Sequence, residues 1–385
     1  MFERGFPVSE FERRVAQAQL RMRDAKMDAL LFMTEREFTY FVGFQSHFWQ
    51  SPTRPWFLII PSEGKPIAVI PSIGENALSQ CWIEELHIWA SPNPADEGIS
   101  LLAATLMKLA TRYSTIGMPM GPETYLRMPA NDVMMLRTSL KSVDIVDSTN
   151  ILLDLRMVKS DLEIAKHRFI CEIVSDAYDN MGHIAQAGLT EREIQARYRL
   201  DVLGRGADTV PYIVATSAHG GTDDAIRFPT ERKLGDGDVL FIDTGAEIDG
   251  YYCDFDRNFA LGHVADETKY AYELCYQATE AGITAARPGA MACDVWLAMH
   301  DVLSAGGAKG SGVGRMGHGV GLANTEWPSL MPTDQTILRD GMVLAIEPGY
   351  DFGVGKLMLH EENIVVREGG AEILTRRAPE IIPCL

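Results

Sequence analysis

The chain has 385 residues, of which 46% are hydrophobic and 23% charged, a composition typical of a globular protein with two domains. Its formal net charge of −18 argues against non-specific nucleic-acid binding, because a phosphate backbone would be repelled. The N-terminus is charged, no run of about eighteen apolar residues occurs, and the six cysteines form no Cys-x-x-Cys pair. We therefore expect a cytoplasmic protein with no signal peptide, membrane span, zinc ribbon or disulfide framework.

Residues 1–154 show the alternation of short apolar runs and helix-forming segments that is typical of an α/β domain. Ser9 is the expected N-cap of the first helix. The elements predicted in chain order are a helix over 8–27, a strand over 29–33, a hairpin of 56–60 with 66–70, a helix over 99–110 and a strand over 113–118.

A second domain is predicted over residues 155–385. Ser160 with Glu163, and Thr190 with Glu193, have the spacing of capping boxes at the start of two helices. Two further helices are predicted, one from Asp266 and one over 292–305 after a Pro-Gly break, and several strands with glycine-rich bends fill the remainder. Both helices and strands are therefore expected in this domain.

Three aspartates lie close together along the chain in this second domain. Asp249-Gly250 is a dipeptide favoured in two-residue hairpin turns, and such a turn would place Asp243 opposite Asp256 and diagonal to Asp254. All three side chains would then share one face of the hairpin. Because the neighbouring residues are apolar, bare carboxylates here would be costly to bury, and we predict that cations neutralise them.

Three later motifs complete a candidate ligand set. His318 lies in Met-Gly-His-Gly-Val-Gly, Glu347 in Ala-Ile-Glu-Pro-Gly and Glu362 in His-Glu-Glu-Asn. A lone histidine is more often structural, but glycines on both sides let the backbone approach a ligand closely. In order and context these residues, together with Asp243 and Asp254, resemble the metal ligands of the pita-bread hydrolases: methionine aminopeptidase, prolidase, aminopeptidase P and creatinase.

The resemblance covers about residues 155–385 and implies an α+β protein. Its C-terminal domain would have the pita-bread fold, in which helices back a curved antiparallel sheet, and an α/β creatinase-type N-terminal domain would precede it. It implies two divalent metal ions, with manganese favoured and iron, cobalt or zinc as alternatives. In such relatives the residue matched by Glu347 also carries a proton to the leaving amine. Glu361 is the second choice for the carboxylate assigned to Glu362. The implied activity is hydrolysis of a C–N bond in a Xaa-Pro dipeptide or a small peptide-like compound, by a homodimer.

The chain departs from the peptidase pattern at positions that face the substrate in relatives. Ile226 and Thr325 stand where relatives carry histidines, and His360 stands where they carry an arginine. As replacements, we expect His360 to act in catalysis and His219 to bind substrate, although a structural histidine is equally typical at His219. Trp327 is a candidate pocket wall, although a tryptophan beside a proline is equally typical of a core.

Two alternatives to the peptidase remain open from the sequence. The stretch from Gly-Val-Gly-Leu to Glu-Trp-Pro resembles dimethylsulfoniopropionate lyases of the same fold, although those carry a further aspartate where this chain has Gly245. A creatinase-like amidinohydrolase belongs to the same alternative. The other is a non-catalytic binding module that retains the fold. Asp256 stands where metal-binding relatives usually have threonine, and it is either an additional ligand or an acid/base group.

Overall fold

The computed structural model describes residues 3–52, 54–308 and 314–385. Contacts within the chain divide it into two compact units, Glu3–Arg156 and Met157–Leu385. The division falls two residues after the boundary predicted from the sequence. Among the described residues, no helix is long and apolar enough to cross a membrane.

The described residues of the first unit form six strands and six α-helices, the last of which ends one residue past the boundary. They are α1 (Val8–Ala25), β1 (Ala29–Phe32), α2 (Glu35–Val42), β2 (Phe57–Pro61), β3 (Ile67–Pro71), α3 (Glu75–Leu78), β4 (Glu85–Trp89), α4 (Ile99–Leu109), β5 (Thr115–Met118), α5 (Ala130–Ser139), β6 (Asp144–Asp147) and α6 (Thr149–Met157). The N-cap of α1 is Pro7 and has no side-chain cap, so the expectation for Ser9 is wrong.

One mixed sheet organises this unit, with the strand order β4-β3-β2-β1-β5-β6. The central strands β1, β2 and β3 are buried along their whole length, as their short apolar sequences predict. The predicted β2–β3 hairpin is confirmed, and Gly64 in its turn has a φ of 89°. Helix α4 packs its apolar residues Leu102, Ala103 and Leu106 into the same core as the sheet.

The second unit contains eleven strands and five helices in its described residues. They are α7 (Asp161–Asp179), α8 (Met181–Ile184), α9 (Glu191–Gly204), β7 (Thr209–His219), β8 (Asp238–Ile248), β9 (Tyr251–Tyr252), β10 (Phe255–Ala260), α10 (Asp266–Ala285), α11 (Ala292–Ala305), β11 (Gly317–Gly319), β12 (Glu326–Ser329), β13 (Val343–Ile346), β14 (Gly349–Gly353), β15 (Lys356–Leu359), β16 (Glu362–Val365) and β17 (Glu372–Ile373).

Both predicted capping boxes in the second unit are confirmed. The Ser160 hydroxyl accepts a hydrogen bond from the Glu163 amide at the start of α7, and the Glu163 carboxylate accepts one from the Ser160 amide at 2.9 Å. Thr190 and Glu193 make the same pair of bonds at the start of α9. These local bonds satisfy amide groups that the first helical turn would otherwise leave unpaired.

Antiparallel strands of the second unit form a sheet in the order β10-β8-β7 and another in the order β12-β11-β13-β16-β17, with a separate β14–β15 hairpin. The β8–β9 turn is the predicted Asp249-Gly250 dipeptide, and both residues have positive φ, 51° and 81°. This two-residue turn sets the pairing of β10 with β8 and places Asp243 opposite Asp256, as predicted. Helices α7, α9, α10 and α11 bury their apolar faces in two cores against these sheets.

Candidate metal centre

The β8–β10 hairpin brings acidic side chains to one of its faces. Asp243 and Asp256 form a directly opposed pair, and Asp254 lies in the link that leads into β10. Asp254 and Asp256 are only 4% and 2% exposed. Asp243 is half-buried, but its Oδ1 atom is buried and has no hydrogen-bond partner among the described residues. Carboxylates so placed lack the solvent that normally stabilises their charge.

The second sheet contributes a histidine and two glutamates to the same site. Strand β11 pairs with β13 so that His318 is opposite Ala345, and the Glu347 amide continues this pairing by donating to Met316. His318 Nε2 lies 3.4 Å from Asp254 Oδ2 and 3.6 Å from Glu347 Oε1. Ligand atoms of Asp254, His318 and Glu361 all lie within 4.8 Å of one another. The two sheets therefore converge on one cluster of carboxylates with a single imidazole.

Hydrogen bonds fix the orientation of several members of this cluster. His318 Nδ1 lies 3.0 Å from the carbonyl oxygen of Gly319, which leaves Nε2 directed at the carboxylates. Asn324 Nδ2 donates a hydrogen bond to Asp254 Oδ2 at 2.8 Å. Such supporting bonds set ring orientation and hold ligands in place, as in known metal sites.

Burial and mutual repulsion change the acidity of the cluster strongly. Burial raises the pKa of Asp243 to about 7 and that of Glu347 to about 8. The pKa values of Asp254, Asp256 and Glu361 are also raised well above the usual range, first by burial and then by neighbouring carboxylates. Burial and the nearby Arg315 lower the pKa of His318 to about 4, so its imidazole is neutral and free to bind a cation. Without cations, these carboxyl groups retain protons near neutral pH.

Sequence comparisons place this geometry in a known family. The profile of the metallopeptidase family M24 matches residues 165–368, more than half of the chain, and that of the creatinase/prolidase N-terminal domain matches residues 14–158. The chain belongs to metallopeptidase family M24. It is a metal-dependent hydrolase, and the predicted pita-bread fold with a creatinase-type N-terminal domain is confirmed.

Relatives of this M24 protein include several dipeptidases. The probable dipeptidase PepE of Mycobacterium tuberculosis is 27% identical over an alignment of 387 positions that covers 99% of each chain. The Xaa-Pro dipeptidase of Pyrococcus furiosus is 28% identical over 236 residues, 60% of this chain and 67% of its own. The crystal structure of dipeptidase PepE from Mycobacterium ulcerans matches with a TM-score of 0.86 at 25% identity and covers 99% of both chains.

The residues of this M24 protein fit the pair of divalent ions that the family implies. The cluster offers several carboxylates and one neutral imidazole, a donor set that suits hard to borderline cations. Oδ1 of Asp243 and Oε1 of Glu361 are fully buried and have no hydrogen-bond partner in the part of the chain that the structure describes, which is costly unless something else binds them. The residues that would hold the ions are Asp243, Asp254, His318, Glu347 and Glu361.

Glu362, which the sequence analysis assigned to this ligand set, lies on the opposite side of its strand. Its carboxylate accepts hydrogen bonds from Arg257 Nη2 at 3.0 Å, from Arg377 Nη1 at 2.9 Å and from the Ala378 amide at 3.0 Å. All of its charge is therefore compensated by protein groups. Side chains alternate between the two faces of a strand. Because Glu362 faces away from the cluster, its neighbour Glu361 faces towards it. We therefore propose Glu361, the second choice from the sequence, as the ligand in place of Glu362.

His360 also lies outside the cluster, in contrast to the catalytic role expected for it. Its Nδ1 atom is 3.2 Å from the Thr279 hydroxyl of α10, and Arg377 Nη1 lies 3.3 Å from the ring. The rings of Tyr272 and Tyr276 contact it edge-on. Burial and Arg377 lower the pKa of His360 well below its ordinary value. The residue is a neutral, packed histidine on the same side of the chain as Glu362.

The two residues expected to bind substrate have different surroundings. His219 pairs with Asp238. The residue of β7 that pairs with Asp243 is five positions away from His219, a distance of about 17 Å along the strand. The structure therefore does not bring His219 into the cluster. Trp327 is half-buried on β12, and its indole N–H donates to the Thr336 hydroxyl at 3.1 Å. A role for Trp327 as a pocket wall stays a prediction.

Arg315 was missed by the sequence analysis, although it lies three residues before His318. Its guanidinium contacts the hydroxyls of Thr325 at 3.5 Å and Ser329 at 3.4 Å. It makes no ion pair within the described ranges of the chain. Its positive charge nevertheless lowers the pKa of Glu347 and of His318. The positively charged guanidinium of Arg315 thus lies beside the cluster and next to Thr325, one of the two positions where peptidase relatives carry a histidine. The other position, Ile226, is 81% exposed.

Proposed function

We propose that this M24 enzyme is a dipeptidase of the Xaa-Pro type that hydrolyses the C–N bond of a dipeptide at a dinuclear metal centre. The observation that carries the proposal is the cluster in which Asp254, His318 and Glu361 present ligand atoms within 4.8 Å of one another. The dipeptidase functions by which the M. tuberculosis and P. furiosus relatives are named support the dipeptide as substrate. The resemblance to prolidases supports proline as the second residue.

Manganese is the proposed native metal, with iron, cobalt or zinc as alternatives. Oxygen donors outnumber the single nitrogen donor of His318, and such sets favour hard cations over zinc, which usually takes more nitrogen or sulfur ligands. When bound, a pair of divalent ions would activate water and polarise the scissile carbonyl. The protein's own contribution is to hold substrate and to move protons.

Glu347 is proposed to carry the proton from water to the leaving amine. Its side chain is 16% exposed, so that it can reach substrate as well as the cluster. Burial raises its pKa to about 8, so the metal-free carboxyl gains and loses a proton close to neutral pH. Bound cations would lower the pKa of Glu347. A carboxyl group whose pKa lies near the working pH is the most effective general acid and base.

Arg315 is proposed to hold the carboxylate of the dipeptide. In the described residues its only hydrogen-bond partners are two hydroxyls, so its charge has no protein anion as partner. An arginine binds a carboxylate through two parallel hydrogen bonds, which fixes orientation as well as adding affinity. This contact would compensate in part for the histidine that Thr325 replaces. It also favours substrates with a free carboxylate over longer peptides.

A lyase of the dimethylsulfoniopropionate type is disfavoured by the packing around Gly245, where those enzymes carry an aspartate. A Cβ atom at this position would lie 2.1 Å from Asn324 Oδ1 and 3.2 Å from Tyr212 Cβ. The space needed for the aspartate is thus taken by Asn324, which supports Asp254. A creatinase-like reaction and a binding module have no comparable support, since the carboxylates and the histidine are all present.

We also propose a cytoplasmic homodimer. The support for the location is the composition and six free cysteines, of which Cys171, Cys253 and Cys275 are buried. The support for the dimer is the resemblance to dimeric pita-bread enzymes. Size-exclusion chromatography with light scattering tests the oligomeric state directly.

The proposed activity is tested with the purified, metal-depleted protein reloaded with manganese, iron, cobalt or zinc. Each form is assayed against Xaa-Pro dipeptides, against dipeptides without proline and against a Xaa-Pro dipeptide amide. We expect the highest turnover with manganese and a free Xaa-Pro dipeptide. Absence of turnover for all dipeptides with every metal would refute the dipeptidase, and tight metal binding without turnover would favour a different reaction in the same site.

A further inference from the structure

Asp256 occupies a central position in the metal-facing surface of the β8–β10 hairpin. It is paired directly with Asp243, so the two side chains lie on the same face. Its neighbour on the adjacent chain segment is Glu361, because Arg257 Nη1 bridges the carbonyl oxygens of Asp256 at 2.6 Å and Glu361 at 2.9 Å. Asp256 therefore lies between two members of the cluster, and it is 2% exposed.

The carboxylate of Asp256 forms no ion pair and accepts no hydrogen bond within residues 3–52, 54–308 and 314–385. The adjacent Arg257 points to the other side, where its Nη2 donates to Glu362 at 3.0 Å. Glu362 is equally buried and receives two arginines and a backbone amide. Asp256 and Glu362 are thus similarly buried, but among the described residues only the Glu362 carboxylate has hydrogen-bond and ion-pair partners. A buried charge without partners is normally neutralised by a metal or by a proton.

A second, independent observation indicates that the space in front of Asp256 receives a ligand. Asp243 Oδ1 and Glu361 Oε1 belong to the two residues that neighbour Asp256, and both are buried atoms without a hydrogen-bond partner in the described chain. Unpaired polar atoms on both neighbours of Asp256 are best explained by cations that all three carboxylates face.

We propose that Asp256 is an additional carboxylate donor of the dinuclear centre, at a position where the pita-bread hydrolases usually have a threonine. The inference rests on the proposed metal centre but not on the choice of dipeptide as substrate. Asp243, Asp254, Glu347 and Glu361 already balance two divalent ions, so Asp256 makes the loaded centre more negative. The additional oxygen donor increases the preference for manganese over zinc.

The test is a titration of metal-depleted protein with Mn²⁺. Calorimetry and electron paramagnetic resonance of the coupled ions monitor the binding. Wild type is compared with Asp256→Asn, which removes the charge and keeps the shape, and Asp256→Thr, which restores the family's usual residue. Asp266→Asn is the control, because Asp266 is exposed and pairs with Lys269 on the surface. Loss of a donor is expected to weaken the binding of at least one ion by about tenfold or more in both Asp256 variants.

Thermal unfolding separates a ligand from a structural carboxylate. If Asp256 is a donor, Asp256→Asn relieves repulsion in the metal-free protein and raises its Tm, whereas the gain in Tm on adding Mn²⁺ becomes smaller than in wild type. A structural carboxylate would lower both values. Mn²⁺ affinities of both variants within about twofold of wild type would overturn the proposal.

The result is also independent of the dipeptidase proposal. Wild-type protein that binds two Mn²⁺ ions but cleaves no dipeptide would refute the activity and still allow the Asp256 comparison. Wild-type protein that binds no Mn²⁺ would overturn both.

Discussion

His318 Nε2 and Asp254 Oδ2 lie 3.4 Å apart, although they come from different sheets and are separated by 64 positions in the sequence. An ion pair does not explain this approach, because the low pKa of His318 leaves its imidazole neutral at ordinary pH. The contact has the geometry of two ligands directed at one ion. It is the point at which the β8–β10 and β11–β13 strands meet in the site.

We therefore predict that Asp254→Ala abolishes both metal content and turnover. The substitution removes a ligand and also the acceptor of the Asn324 amide. Elemental analysis of the purified variant and an Xaa-Pro dipeptide assay measure the two effects. Asp351→Ala, an exposed substitution on the β14–β15 hairpin, is the control and is expected to behave as wild type. Full activity in Asp254→Ala would refute the site.

Adjacent glutamates provide a sharper test, since Glu361 and Glu362 face opposite ways. Glu361→Gln should lower metal affinity by about tenfold or more and leave the metal-free Tm unchanged or higher. Glu362→Gln should instead lower the free energy of unfolding by about 3 kcal/mol or more, because Arg257 and Arg377 lose a buried anion. Metal titration and denaturant unfolding of both variants distinguish these roles. The reverse pattern would restore the assignment of Glu362 as ligand.

The Asp243–Asp256 pairing could be predicted from the sequence, whereas the choice between Glu361 and Glu362 could not. The Asp243–Asp256 pairing depends on a two-residue turn, and the Asp-Gly dipeptide at 249–250 is sufficient to set the register of the strands that flank it. The choice between Glu361 and Glu362 depends on pairing between β13 and β16, whose register no local signal specifies. A shift of one residue exchanges the two faces of a strand.

The misassigned histidines have a related physical cause. A histidine carries no sign in the sequence of whether its ring is packed or directed at a ligand. His360 is buried by Thr279 and two tyrosines from α10, a helix about eighty residues earlier in the chain. Arg315 could have been noticed from its place just before the His318 motif. Its lack of an ion-pair partner among the described residues is, however, a property of the folded chain.

The pH dependence of stability should differ between the metal-free and metal-bound protein. The pKa values of Asp243 and Glu347 are about 7 and about 8, against about 4 for carboxyl groups in unfolded chains. Between these limits the folded metal-free protein binds more protons than the unfolded chain. The stability due to these groups is therefore fully present below about pH 4 and is lost progressively as the pH rises to about 7 for Asp243 and about 8 for Glu347. Manganese binding displaces the protons, so its affinity should rise over the same range.

Scanning calorimetry at pH 5.5 and pH 8.5, with and without Mn²⁺, measures this linkage. We expect the increase in Tm caused by Mn²⁺ to be larger at pH 8.5. Asp243→Asn removes one of the titrating groups and should reduce the dependence on pH. An increase in Tm that is the same at both pH values would contradict the assignment of Asp243 and Glu347 as proton-holding ligands.

Replacement of Arg315 should affect substrates according to their charge. Arg315→Met removes the guanidinium, and a charge-assisted hydrogen bond of about 1.5 to 3 kcal/mol predicts an increase in KM of about tenfold or more for a free dipeptide. A dipeptide amide, which has no carboxylate, should show little change. Arg315→Lys should retain part of the affinity because it keeps the charge but not the paired geometry. Equal losses for dipeptide and amide would assign Arg315 to another role.

Gly245→Ala tests whether the space beside Asp254 is as tightly filled as the structure indicates. The added Cβ would lie 2.1 Å from Asn324 Oδ1, so Asn324 must move and release its hydrogen bond to Asp254. Metal affinity should fall by about tenfold, since supporting bonds to ligands have effects of this size. Gly182→Ala is the control, because Gly182 is helical and its added methyl group would meet no atom within 4 Å.

In the double variant Gly245→Ala with Asn324→Ala, relief of the clash should restore Tm but not metal affinity. Recovery of both would show that Asn324 does not support Asp254.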